Sequence, residues 1–354
     1  MNGTSGWALR GAAILVLLAL SVFAQTAGVA QRTPLARQGR ARAASAPSTR
    51  PLPRREGEFM PEQRPQPGDG NLESAPRPGA IAARYPRIDC QPAPLSVYHS
   101  CVYHDARGLA MTFYLYFPRH YDARSRYPLV LLLHGGGQRA DPAQSAEANR
   151  DVLLDDPYVQ VWGPGFHGPH SVEVQARWPS FVVAPQLVYP NRWVDAPPGD
   201  GSHPMAPEPT DSLRLAKEIV DTLRASYPAI DGERLYITGM SLGGYGTWDA
   251  IQRWPHEFAA AAPICGAGDP ARAGALTQLP IWAFHGADDQ IVPVSGTRQM
   301  IEAIRAAGGH PRYTELTGVG HSSWLYAYAL AGTPPPTPDF FPWLFAQHRL
   351  PPSE

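Results

Sequence analysis

The residues with the clearest chemical potential are Gly239-Met240-Ser241-Leu242-Gly243, a serine flanked by glycines that directly follows the apolar stretch 234–238 (RLYIT). A serine held on a strained strand-to-helix turn needs glycines at those places, because any Cβ there would obstruct the approach of strand and helix. Its hydroxyl is a poor nucleophile at neutral pH and requires a base within hydrogen-bond reach, with a third group to orient that base. Downstream, residues 285–293 (HGADDQIVP) hold two adjacent carboxylates, Asp288 and Asp289, and residues 318–324 (GVGHSSW) hold a single histidine, His321. Serine, then acid, then histidine is the chain order expected for this type of turn. Singly, such a serine is usually a cap and such a histidine usually surface. Jointly they read as a device for nucleophilic acyl transfer, with His321 as general base. His285 is the competing histidine, but it precedes the acids and reads as a strand-end support.

For these groups to meet, each must stand at the end of a strand in one sheet. Residues 128–133 (PLVLLL) form an unbroken apolar run stopped by His134-Gly135-Gly136-Gly137, as expected of a strand buried on both faces. Residues 181–184, 234–238, 259–264 and 281–284 repeat that form, and 312–316 reads as a last strand. Helical periodicity occupies 211–226 and 293–307 between them, which predicts an α/β fold, a mostly parallel sheet flanked by helices on both faces. Residues 97–104 and 110–117, separated by a turn at 106–108, predict an antiparallel pair leading into it. In such sheets function gathers at the carboxyl ends of the strands, where every motif above falls.

Acyl transfer also needs donors for the developing oxyanion. The N–H of Leu242, directly after the nucleophile, is one candidate; the other lies within 134–137, with Gly136 the choice. Among aromatic residues near these motifs, Trp193 and Trp324 are candidates to contact substrate, with Trp178 and Tyr245 also close in sequence to the site.

With these residues in hand, the chain resembles the bacterial phospholipase/carboxylesterase-like and dienelactone-hydrolase-like α/β-hydrolases, a group that includes prolyl-oligopeptidase-family esterases. The resemblance rests on YPLVLLLHGGG at 127–137, VAPQ at 183–186, ITGMSLGGYGTWD at 237–249, APICG at 262–266, and the segments 280–294 and 318–324. It implies the α/β-hydrolase fold, serine-dependent hydrolysis of carboxylic esters with no cofactor, and the triad Ser241, Asp289 and His321. Asp289 is favoured over Asp288 because the family's acid stands at that distance from the HG histidine. The substrate would be a small-molecule or polymer-linked ester: a polysaccharide side group, a polyester or a small lipid. A serine peptidase shares the triad, and a binding module shares the fold. Segments 141–178 and 194–209 match nothing in the resemblance and are expected to shape the substrate pocket.

The formal net charge of −1 over 354 residues lacks the concentrated basic face of a nucleic-acid binder. The apolar run 11–23 after Arg10, followed by small residues, reads as a signal peptide over 1–30, with an uncleaved anchor as the alternative. Residues 31–84, rich in Pro and Arg, read as a disordered linker, and 85–354 as the catalytic domain, secreted or periplasmic and without a stable membrane span. Only three cysteines occur, with no CxxC or Cys/His cluster to hold a metal. In an exported chain Cys90 and Cys101 are expected to be bridged, leaving Cys265 as a buried strand residue.

Overall fold

Strand β4 illustrates how the apolar runs become a sheet. Along Tyr127–Leu133, Leu129, Leu131 and Leu133 enter one core while Val130 and Leu132 enter another. A strand covered on both faces needs no polar alternation. The computed structural model describes residues 87–92, 97–163, 174–330 and 337–349. The expected leader and linker lie outside them. β4 is preceded by β1 (Arg87–Pro92), β2 (His99–His104) and β3 (Ala110–Tyr116). It is followed by α1 (Ala146–Leu154), β5 (Phe181–Pro185), α2 (Asp211–Ser226), β6 (Ile230–Met240), α3 (Leu242–Arg253) and β7 (Ala260–Ile264). β8 (Trp282–Gly286), α4 (Val294–Ala306), β9 (Arg312–Leu316) and α5 (Phe340–Phe345) complete the main elements.

These strands form one sheet in the order β1-β2-β3-β5-β4-β6-β7-β8-β9. β1, β2 and β3 are an antiparallel meander that joins β5 antiparallel, and every pairing from β5 through β9 is parallel. Helices cover both faces: Leu213, Ile219 and Leu223 of α2, Trp248 of α3 and Met300 of α4 fill one core, while Leu153 of α1, Trp162 and Phe340 of α5 fill the other. Burying each such side chain contributes about 1.5–3 kcal/mol. Helix α2 starts where Thr210 Oγ1 accepts the Leu213 N–H at 3.1 Å, a cap worth about 1 kcal/mol.

This is the expected α/β-hydrolase architecture, with two additions. β1 was not foreseen; it sets Cys90 opposite Cys101, and the two are disulfide-bonded. β6 begins at Ile230, ahead of the apolar stretch, and its pairing with β4 shifts register between Tyr127 and Leu129. No helix among the described residues is long and apolar enough to cross a membrane.

Candidate active site

β6 and α3 meet at Ser241 with almost no room between them. A Cβ at Gly239 would overlap the backbone of Gly243, and one at Gly243 would overlap the carbonyl of Leu133 on β4. The turn is therefore closed to anything but glycine on both sides of the serine. Ser241 absorbs the geometry, with φ 54° and ψ −118°, a region L residues rarely occupy. Its N–H donates to Ile264 O at 3.1 Å and lies 3.3 Å from Cys265 Sγ, which ties the turn to the end of β7.

From this turn Ser241 Oγ lies 2.9 Å from His321 Nε2. His321 Nδ1 lies 2.7 Å from Asp289 Oδ2. Because the carboxylate can only accept, Nδ1 carries the hydrogen and Nε2 is left to accept the serine proton. Asp289 is buried, while Asp288 beside it is exposed. Asp289 Oδ1 accepts the N–H groups of Ile291 at 2.8 Å and Val292 at 2.9 Å. Burial raises the Asp289 carboxyl, but hydrogen bonds from His285, His321 and the Val292 N–H outweigh it and hold the group well below its ordinary value. His285 is fully buried and touches Asp289 rather than the serine, at 3.2 Å from Oδ2.

Leu242 begins α3, where N–H groups have no intrahelical partner. Gly136 lies against it: a Cβ there would sit 3.5 Å from Leu242 Cδ1. The loop before Gly136 is rigidly held. His134 Nε2 accepts the Leu187 N–H at 2.9 Å, and burial lowers this imidazole to about 4, so it stays neutral.

The two tryptophans divide. Trp324 is half-buried and meets the His321 ring edge-on, with centroids 5.5 Å apart. Trp193, expected to contact substrate, is fully buried; its indole N–H donates to His134 O at 3.0 Å, and its side chain abuts Gly246 of α3. It supports the glycine loop from beneath and is corrected from pocket wall to core. Trp178 stacks on Phe345, and Tyr245 is buried beside His203. Segment 194–209, expected to shape the pocket, is anchored near α3: Met205 N–H donates to Asp269 Oδ2 at 2.9 Å and Arg253 Nη2 to Ala206 O at 2.8 Å.

Among the described residues, one group has three potential metal-ligating atoms within 4.8 Å, formed by Cys265, Asp289 and His321. Its chemistry does not favour a cation. The Asp289 and His321 atoms are already paired, and burial pushes the Cys265 thiol up to about 12, so it keeps its proton.

Comparison with known proteins fits this geometry. Residues 203–324 match the dienelactone hydrolase family, a span that contains Ser241, Asp289 and His321. A bifunctional acetylxylan esterase/xylanase of Neocallimastix patriciarum is 26% identical over 192 residues, which is 54% of this chain and 23% of that protein. A thermostable esterase of known structure is 31% identical with a TM-score of 0.56, the likeness covering 72% of this chain and 64% of that one. The chain thus spans less than two thirds of the length of either relative. By its sheet topology and by these matches, the chain has the α/β-hydrolase fold, and its residues 203–324 are similar to the dienelactone hydrolase family.

Proposed function

We propose that the chain hydrolyses carboxylic esters through an acyl-enzyme, with Ser241 as nucleophile, His321 as general base and Asp289 as the acid that orients it. The observation that carries this reading is the continuous line from Ser241 Oγ to His321 Nε2 at 2.9 Å and from His321 Nδ1 to Asp289 at 2.7 Å. Ser241 Oγ attacks the ester carbonyl carbon while its proton passes to His321 Nε2. The imidazolium, stabilised by Asp289, returns that proton to the departing alkoxide as the C–O bond breaks. Water then repeats the sequence on the acylated serine. The N–H of Leu242, with one from the Gly136 loop, would receive the oxyanion.

An ester bound to a polymer, such as a sugar acetate, is the substrate class favoured by the acetylxylan esterase relative. Export to an oxidising compartment fits both the apolar run 11–23 and the Cys90–Cys101 bridge. The test is fluorophosphonate labelling beside turnover of matched ester and anilide substrates, in the natural protein and in Ser241→Ala. Labelling and ester turnover should both vanish in the variant, the latter by several powers of ten. A folded Ser241→Ala protein that keeps its activity refutes the mechanism. An anilide rate matching the ester rate moves the assignment to a peptidase.

A further inference from the structure

The acid of the triad is gripped by a second imidazole that the mechanism above leaves unused. His285, at the end of β8, is fully buried, and its Nε2 faces two acceptors: Val292 O at 3.1 Å and Asp289 Oδ2 at 3.2 Å. Neither can supply a hydrogen, so the hydrogen must reside on Nε2. On the other side of the ring, Nδ1 lies 2.7 Å from Thr297 Oγ1 on α4 and accepts the hydroxyl hydrogen when Nε2 carries the ring hydrogen, Gly266 O at 2.7 Å being the competing acceptor for that one hydrogen. The ring is therefore clamped between α4 and the acid loop. It cannot act as the base, having no solvent exposure and no contact with Ser241.

We propose that His285 is a positioning residue for the reaction, donating Nε2–H to Asp289 Oδ2 so that this oxygen stays aimed at His321. The reasoning rests on the serine mechanism proposed above. Ile291 and Val292 N–H secure only Oδ1. A carboxylate held at one oxygen can pivot about its own bond axis, and Oδ2 is the oxygen that orients the base. His285 removes that freedom. Its effect should appear in kcat rather than KM, because no part of the ring can touch a bound ester.

The experiment compares His285→Phe, which keeps the ring volume without a donor, with His285→Gln, whose amide nitrogen can reach the Nε2 position. Each is made alone and in an Asp289→Asn background, with Ser241→Ala measured alongside. Removing the partner that orients a metal-ligating side chain typically costs about 10–100-fold, and a loss of that order is expected for the carboxylate that orients His321. His285→Phe should lower kcat by about that factor with KM unchanged, and His285→Gln should recover most of it. In the Asp289→Asn background His285→Phe should cost little more, since both substitutions then remove one function. Unchanged kcat in His285→Phe, no recovery by Gln, or a full additional loss in the double variant each overturn the proposal. An active Ser241→Ala protein overturns the serine mechanism itself and this inference with it.

Discussion

Ser241 pays for its position in backbone strain, and replacing it by alanine or by glycine separates that strain from its chemistry. At φ 54° and ψ −118° a residue with a Cβ sits in a sparsely populated region, at a cost of about 1–3 kcal/mol. Alanine keeps the Cβ and therefore the strain. Glycine adopts such angles freely but loses more conformational entropy on folding, by about 0.5–1 kcal/mol. Both variants lose the same hydrogen bond to His321 Nε2, so that loss cancels between them. Ser241→Gly should then be more stable than Ser241→Ala by about 1–2 kcal/mol. For a domain of this size that corresponds to a gain of about 2–4 °C in melting temperature. The assay is thermal unfolding followed by circular dichroism at one pH and protein concentration, with turnover measured on the same samples. Both proteins should be inactive. An alanine variant as stable as the glycine variant, or more so, would mean that the turn carries no strain and that its glycines alone set its shape.

Two further outcomes concern the carboxylates. Asp289→Asn should lose orders of magnitude in kcat, because an amide at this place disturbs the His321 tautomer, whereas the exposed Asp288→Asn should lose little; the reverse ranking in steady-state kinetics would reassign the acid. The folded-state carboxyls of Asp289 and Glu315 are lowered, Glu315 to about 2 chiefly by its hydrogen bonds from Arg298. Their stabilisation should thus be full above the ordinary carboxylate range, about 4, and be lost as pH falls through the depressed values. Melting temperatures from pH 2 to 7 should show the natural protein's advantage over Glu315→Gln shrinking below about pH 4; an advantage that grows on acidification would contradict this.

What could be read from the chain follows how local each constraint is. The turn at Ser241 was legible because the glycine requirement is written into residues adjacent to the serine, and β4 was legible because burial on both faces leaves an unbroken apolar run. β1 was not, since RIDCQP at a sheet edge has neither alternation nor an apolar run to mark it. The first half of β6 was hidden for a related reason: Asp231, Gly232 and Glu233 lie toward the surface and read as a turn. Trp193 was misread because an aromatic residue in a loop after a strand resembles a pocket wall, whereas its packing against Gly246 and its bond to His134 O are contacts that only the folded chain creates. His285 was recognised as a support, but which acceptors it faces depends on how the acid loop folds back over it.

The way the loops are tied explains how three residues so far apart in sequence reach hydrogen-bonding distance. Ser241, Asp289 and His321 each stand just beyond a strand, and each connection is pinned to a neighbouring strand or loop by backbone bonds. Ser241 N–H donates to Ile264 O at the end of β7, and Cys265 N–H donates to Phe284 O on β8. Ala287 N–H donates to Leu316 O on β9, and Asp288 N–H donates to Val319 O in the histidine loop. The relative placement of Ser241, Asp289 and His321 is thus inherited from the parallel ladder, whose spacing is set by hydrogen bonds rather than by side-chain packing. Misplacement of about 1 Å can cost two powers of ten in rate, so anchoring the groups to the ladder protects the chemistry from changes elsewhere. Segment 194–209 is held by a different set of contacts, to α3 and Asp269. Substitutions there therefore need not disturb the distances among Ser241, His321 and Asp289.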